Sequence, residues 1–478
     1  MTARLDLREW PWAIALGLLA AGLGVLAVAQ PLLALGLALG LVFMALVLTD
    51  VTLGLCLFGC VAFMELPGPG GFSIAKLVGL ALVVSWAATA VTRGDRHNFF
   101  KTHPTMSYVL VLFLAFAGAS TLWAKVPIET GSAIIRFLPN MLLLPIAVTA
   151  IKDRRSALMV CGSFVFGAVL SASLGQFVDV GGAPEAITDA EAGLTSETRL
   201  IGVGVNPNEL AIALVGATAI GLGLAASRAL SSGWRLVGAA GTALCLVFIL
   251  LTASRTGLLG ILVAIVLGSL FAGRSRRAPL LVVGLLAALS MTAYVVALAP
   301  PEVRQRITAS DGGSGRDDIW RVGWRMVQDN PVQGVGLGNF RLTSIDYLLE
   351  PGQLKRDTFI LDRPKVAHNI YLETLAELGV IGLVLFLSIM GFALRCMLKA
   401  ARLFEARGDP GLELVARAVF VATAAMLFSS AFVSQQYAKS LWLALALGPG
   451  LLALAHRSET SAPAARSAPE PGPQQLAV

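Results

Sequence analysis

Of the four histidines in this 478-residue chain, His368 opens the run His368-Asn369-Ile370-Tyr371-Leu372-Glu373, which leads directly into an apolar stretch. Imidazole titrates near neutral pH, so at a water–lipid boundary after a long polar segment it can accept a proton as a general base. A structural role competes with this reading, because an interfacial histidine can simply hydrogen-bond a helix start. Arg255 stands within Leu251-Thr252-Ala253-Ser254-Arg255-Thr256-Gly257, between two apolar segments in a connector too short for a solvated loop. A guanidinium there is costly unless it meets a partner, a water-filled cavity or the headgroup layer. Its planar fork suits bidentate phosphate contacts. Arg199 sits likewise just before an apolar segment, and Arg316 begins a helical pattern. Three arginines and a histidine on one face suit an anionic, lipid-linked substrate.

Metal chemistry fits these residues less well. Asp317-Asp318 is the adjacent acidic pair of the long polar segment, but neighbouring helical residues point to different faces. A zinc set would need further His or Cys on that side. A magnesium ion held by Asp317 and substrate phosphate is the remaining metal reading. The five cysteines, Cys56, Cys60, Cys161, Cys245 and Cys396, lie in or beside apolar stretches and read as small buried hydrophobes.

The elements that must position these residues are set by composition. The chain is 56% hydrophobic and 14% charged, with a mean hydropathy of +0.78. That apolar surface exceeds what one soluble core can hide. Apolar segments fall near 11–29, 32–49, 51–66, 73–91, 107–123, 133–150, 156–178, 208–226, 235–252, 257–272, 278–299, 377–398, 414–433 and 438–455. The expected fold is an all-α polytopic membrane protein with about 12–14 transmembrane helices, the segments near 51–66 and 257–272 being short. Lys and Arg collect in alternate connectors, at 93–101, 152–155, 228–235, 274–277 and 399–407. By the positive-inside bias those connectors and both termini are cytoplasmic, and the net charge of +7 calls for no nucleic acid. The first apolar segment lacks a cleavage signal and reads as a retained span.

The expected organisation is transmembrane helices over 1–299 with a short periplasmic segment at 179–207, then a periplasmic cap loop over 300–376. C-terminal transmembrane helices follow over 377–456, and a disordered cytoplasmic tail over 457–478. The cap is long enough to fold. Its residues 316–329 place Ile319, Trp320, Gly323, Trp324, Met326 and Val327 at helical spacing, an amphipathic helix with Asp317 and Asp318 in the first turn. Its tryptophans suit either packing or the headgroup layer. The following Gly334-Val335-Gly336-Leu337-Gly338-Asn339-Phe340 lacks the strand and helix of a dinucleotide fingerprint. It reads as a set of tight turns, or as backbone N–H groups turned towards an anion.

Taken in order, Ser254-Arg255-Thr256-Gly257, Gly315-Arg316 with Trp320, 334–340, 368–373 and Glu377-Leu378-Gly379-Val380-Ile381-Gly382 resemble the O-antigen ligase and polymerase superfamily of bacterial inner membranes. The resemblance covers roughly 195–385 by motif. It implies a metal-independent, cofactor-free glycosyltransferase that takes a glycan from undecaprenyl diphosphate on the periplasmic face. The acceptor hydroxyl belongs to lipid A–core, a growing glycan or a protein. The resemblance also implies that His368 is the motif histidine and that Arg199 and Arg255 bind the diphosphate. Arg316, Asn208, Asn369, Glu373 and Asn339 are the accompanying substrate-binding candidates. Some ligases use a later periplasmic aspartate; here the last outer connector reads Ser434-Gln435-Gln436-Tyr437, without an acid, which leaves that role unassigned and favours polymerase relatives. A helix beginning near Asn369 would favour neutral imidazole at His368, the form a base needs. A transporter or flippase is the competing class, although its charges would lie nearer mid-membrane.

Overall fold

A computed structural model describes residues 10–65, 73–93, 99–177, 199–271, 316–348 and 365–460, with isolated positions between 284 and 304. Among them the chain is helical, with one isolated bridge between Gly202 and Val205 in place of strands. The helices are α1 (Trp10–Ala29), α2 (Pro31–Thr49), α3 (Val51–Val61), α4 (Ile74–Arg93), α5 (Phe99–Thr102), α6 (Pro104–Ala119), α7 (Pro127–Ala150) and α8 (Arg154–Leu174). They continue with α9 (Pro207–Ala226), α10 (Ser232–Leu251), α11 (Arg255–Phe271), α12 (Arg316–Asp329), α13 (Phe340–Leu348), α14 (Ile370–Ala406), α15 (Pro410–Ser429) and α16 (Lys439–Thr460). Among the described residues nine helices are long and apolar enough to cross a membrane, and α3 and α11 are shorter apolar helices. The protein is therefore an all-α polytopic membrane protein. The apolar segment expected near 278–299, the tail from 461, and 300–315 and 349–364 of the expected cap lie outside the described residues, as does His97.

Helix ends are written locally in the sequence. Proline stands at the first position of α2, α6, α7, α9 and α15, where its missing N–H leaves no bond unmade. Asp50, Asp153, Asn206, Asn369 and Asp409 cap the helices that follow them, and Asp153 with Ser156 forms a reciprocal capping box. Small residues then let helices approach: a Cβ at Gly238 of α10 would lie 2.5 Å from the Gly221 carbonyl of α9. At the centre α16 is mostly enclosed, packed against α7, α14 and α15, while Ile128, Ile135, Leu236 and Val384 project outward towards lipid.

The helices alternate in direction, so one end of the bundle collects the starts of α7, α9, α11, α14 and α16 and the ends of α8, α10 and α15. Basic residues gather at the other end. There Lys152 pairs with Asp50 at 3.3 Å, Arg154 donates to the Ala229 carbonyl at 2.8 Å, and Arg457 donates to the carbonyls of Ile151 and Val148. The end opposite this basic layer carries the cap.

In the cap, α12 buries Ile319, Val322, Met326 and Val327 against Phe340 of α13 and against Ala376 and Leu372 of α14. The buried face differs from the expected one: it takes in Val322, and Trp320 is only half-buried. Trp324 is 53% exposed, because the contact stripe runs through 319, 322, 326 and 327, leaving 324 on the outer side. Helix α14 also begins earlier than the apolar run near 377 indicates. Asn369 caps it eight residues upstream, and Gly379 (φ 63°, ψ −167°) breaks the helix between its cap-facing turns and its long apolar part. The break places the Gly379 backbone against Val332, where a Cβ would come 2.1 Å from the Val332 carbonyl oxygen. Only glycine fits there.

Candidate functional site

Two clusters of polar residues form at the cap end. The first is built on Arg199, which is 4% exposed despite its charge. Its Nε donates to the Thr252 carbonyl at 2.9 Å and its guanidinium also reaches Asn208 Oδ1 at 3.3 Å. Ser254 Oγ donates to the same Asn208 oxygen at 2.9 Å, and the Leu200 N–H donates to the Leu251 carbonyl at 2.9 Å. The segment before α9 is thereby fastened to the turn 251–254, where Ala253 takes a left-handed φ of 47°. Arg255 follows that turn as the first residue of α11 and is exposed. Arg199, Asn208 and Arg255 thus share one turn. Arg199 is held there by the Thr252 carbonyl and Asn208, while Arg255 is exposed on the same turn.

The second cluster surrounds His368, which is half-buried with a left-handed φ of 49°. Such a φ is strained for a side chain with a Cβ and persists only where neighbours over-determine it. They do so on both sides. Before it, the Ala367 N–H donates to Glu373 Oε2 at 3.2 Å and the Ala367 carbonyl accepts from Trp320 Nε1 at 2.9 Å. After it, Asn369 Oδ1 accepts the N–H groups of Tyr371 and Leu372 at 3.0 and 3.1 Å. Glu373 is 3% exposed and accepts further hydrogen bonds from Ser434 Oγ and, at 2.5 Å, from Gln436 Nε2. The last connector, which lacks an acid, therefore supplies two donors to a carboxylate from α14. The Tyr437 ring lies 5.4 Å from the Arg136 guanidinium carbon; burial, then the Glu377 and Glu373 charges, push its phenol well above the ordinary range.

The end of α15 joins the two clusters. Gly260 of α11 packs so closely that a Cβ would lie 2.5 Å from Ser429 Oγ. On the other side Tyr371 Oη donates to the Leu427 carbonyl at 2.7 Å. The Trp320 ring of α12 meets Phe432 with centroids 6.5 Å apart. Arg255 thus begins, and His368 lies two residues before, helices that flank the end of α15.

Other expected residues fall elsewhere. Asn339 is fully buried: its Oδ1 accepts the Val126 N–H at 2.8 Å and its Nδ2 donates to Thr130 Oγ1 and the Leu337 carbonyl, which ties the cap to the start of α7. Arg316 lies at the half-buried start of α12. Asp317 is exposed and Asp318 is buried, so the two carboxylates do not converge. The glycine-rich segment takes positive φ at Gly334, Gly336 and Gly338, and its N–H groups serve internal bonds. Val335 donates to Ala376, Gly336 to Glu377, Leu337 to Ser120 Oγ and Phe340 to Glu377 Oε1. Of its two readings, tight turning is the one this geometry matches. Trp320, Ser254, Ser434 and Gln436 act on the clusters and were not singled out for those contacts by sequence, since each bond joins distant segments. His103 and His456 lie at the opposite end.

These features define a polytopic membrane protein whose buried and exposed arginines and strained histidine gather at one end of a helical bundle, beneath a small cap. Residues 240–387 match the family model described as O-antigen ligase, so this part of the chain is similar to that superfamily of glycosyltransferase-type enzymes. The match takes in Arg255, Arg316, Asn339, His368 and Glu373. No curated protein matches the sequence closely.

Proposed function

We propose that the chain transfers a glycan from undecaprenyl diphosphate to an acceptor hydroxyl at the periplasmic face of the bacterial inner membrane, most directly an O-antigen to lipid A–core. The observation that carries this reading is the placement of Arg199, Arg255 and His368 around the end of α15. The basic layer at the opposite end supports a cytoplasmic assignment for that end and for both termini.

Breaking the sugar–diphosphate bond develops negative charge on the leaving group. Arg199, held by Asn208 and Thr252, and Arg255 beside it stabilise that charge as preorganised cations, without a metal. Arg316 assists in substrate binding. His368 accepts the proton of the acceptor hydroxyl, a contribution of about 10²–10⁴-fold. Attack opposite the diphosphate in one displacement inverts the anomeric centre. Asn369 and Glu373 take part by fixing the backbone on each side of His368.

A repeat-unit polymerase is the second reading, favoured by the absence of an acid in 434–437. A deletion strain separates the readings. Unaltered core with unlinked polymer supports ligation, and single repeats capped onto core support polymerisation. Loss of lipid-linked glycan from the outer face would point to a flippase and contradict both.

A further inference from the structure

A pocket of about 370 Å³ opens in the cap, away from the residues given roles above, and its size falls within the ~300–1,000 Å³ of ligand sites. Gly334 and Val335 line it, and the Val335 N–H donates to the Ala376 carbonyl of α14 at 3.0 Å. Ala376 lies eight residues after His368, the last six of them roughly 9 Å along the helix from Ile370. The pocket is thus fastened to the helix that His368 precedes.

The wall chemistry selects a ligand class. Trp123 and Tyr347 contribute rings with an apolar face and a polar edge. Asp329 and Gln333 are exposed lining residues, and Lys125 pairs with Asp346 at 2.5 Å. With two carboxylates and one ammonium, this wall disfavours a phosphate or diphosphate. Its polar groups equally disfavour a lipid chain. Independently, two buried polar atoms of pocket residues, Trp123 Nε1 and Thr343 Oγ1, have no hydrogen-bond partner, and Thr343 is 7% exposed. Buried orphans of this kind are uncommon and call for an explanation. A neutral sugar suits this wall: its hydroxyls donate and accept, and its C–H faces can lie on aromatic rings.

We propose that this pocket is a sugar-binding subsite for one or two units of the glycan at a distance from the bond being made. The subsite rests on the glycan-transfer reading, and it holds a chain, from donor or acceptor, while its reacting end lies near His368.

The test uses full-length protein purified in detergent and two delipidated probes from the native strain, an O-polysaccharide repeat oligosaccharide and a core oligosaccharide. Binding is read by saturation-transfer NMR. Asp329→Ala with Gln333→Ala, both at exposed positions, is expected to weaken one probe by about 10-fold, as is Trp123→Phe, which removes the indole N–H while keeping an aromatic ring. The weakened probe identifies the source of the sugar, and KM for that substrate should rise with kcat nearly unchanged. His368→Ala should bind the probe as wild type does. Unchanged binding in the double variant, or no binding of either probe to wild type, overturns the subsite. Transfer by the wild-type protein, measured in parallel, reports on the enzymatic reading separately.

Discussion

Glu373 Oε2 accepts the backbone N–H of Ala367 at 3.2 Å, so the first turn of α14 reaches back over the residue that precedes His368. With Trp320 holding the Ala367 carbonyl, the left-handed conformation of His368 is fixed by bonds from α12 and α14 and, through Glu373, from the 434–436 connector. On this account Glu373 is a positioning residue.

Glu373→Gln keeps the size of the side chain and weakens its three acceptor bonds. Glycan transfer should fall by as much as about 10²-fold, chiefly in kcat, because a displacement of about 1 Å at a reacting group suffices for such a loss. Kinetics of the purified variant, with its melting temperature as a control, provide the check. A change confined to KM would assign Glu373 to substrate binding instead.

The arginines make separable predictions. Arg255→Ala should lower transfer by about 10²–10³-fold, the usual effect of removing one preorganised donor to a developing anion. Arg255→Lys keeps the charge and loses the planar fork, so its activity should remain well below wild type. Equal activity of Arg255→Lys would argue against bidentate phosphate recognition. Asn208→Ala, which removes the acceptor shared by Arg199 and Ser254, should reduce transfer without changing either charge.

Much of this arrangement is legible in the sequence because it is local. Asn369 precedes the helix it caps, proline marks helix starts, and α12 shows Ile319, Gly323, Met326 and Val327 of its buried stripe. The apolar periodicity also reveals a membrane bundle. What escaped are contacts between distant segments. Gln436 bonds a carboxylate 63 positions away, and Asn339 bonds Thr130 across 209 positions, which turns a motif residue into a structural tie. The break at Gly379 is likewise hidden, since a glycine in an apolar run gives no sign of the backbone that will press against it.

That break yields a stability prediction. Gly379→Ala must place a Cβ 2.1 Å from the Val332 carbonyl oxygen while holding a backbone conformation reserved for glycine. The conformation alone costs about 1–3 kcal/mol. Thermal unfolding in detergent should show a large drop in melting temperature or no folded protein. A melting temperature equal to wild type would contradict the described break.

His103, just before α6, provides a pH prediction away from the site. Burial, followed by the charge of His456, pushes its imidazole from 6.5 down to about 4. The folded protein therefore favours the neutral form. Stability from this group is complete above pH 6.5 and is lost as pH falls towards about 4, where the folded imidazole begins to protonate. The melting temperature should decline over that window, and His103→Asn, which keeps a polar side chain that does not titrate, should decline less. Identical pH profiles would remove His103 as a source of the effect.

The central claim is that His368 receives the acceptor proton beside Arg199 and Arg255. It is tested most directly by reconstituting purified wild-type and His368→Ala proteins with an undecaprenyl-diphosphate-linked glycan and lipid A–core, and measuring the initial rate of glycan transfer. The account predicts a loss of about 10²–10⁴-fold in kcat for a folded variant that still binds the donor. Transfer at the wild-type rate by His368→Ala would contradict it.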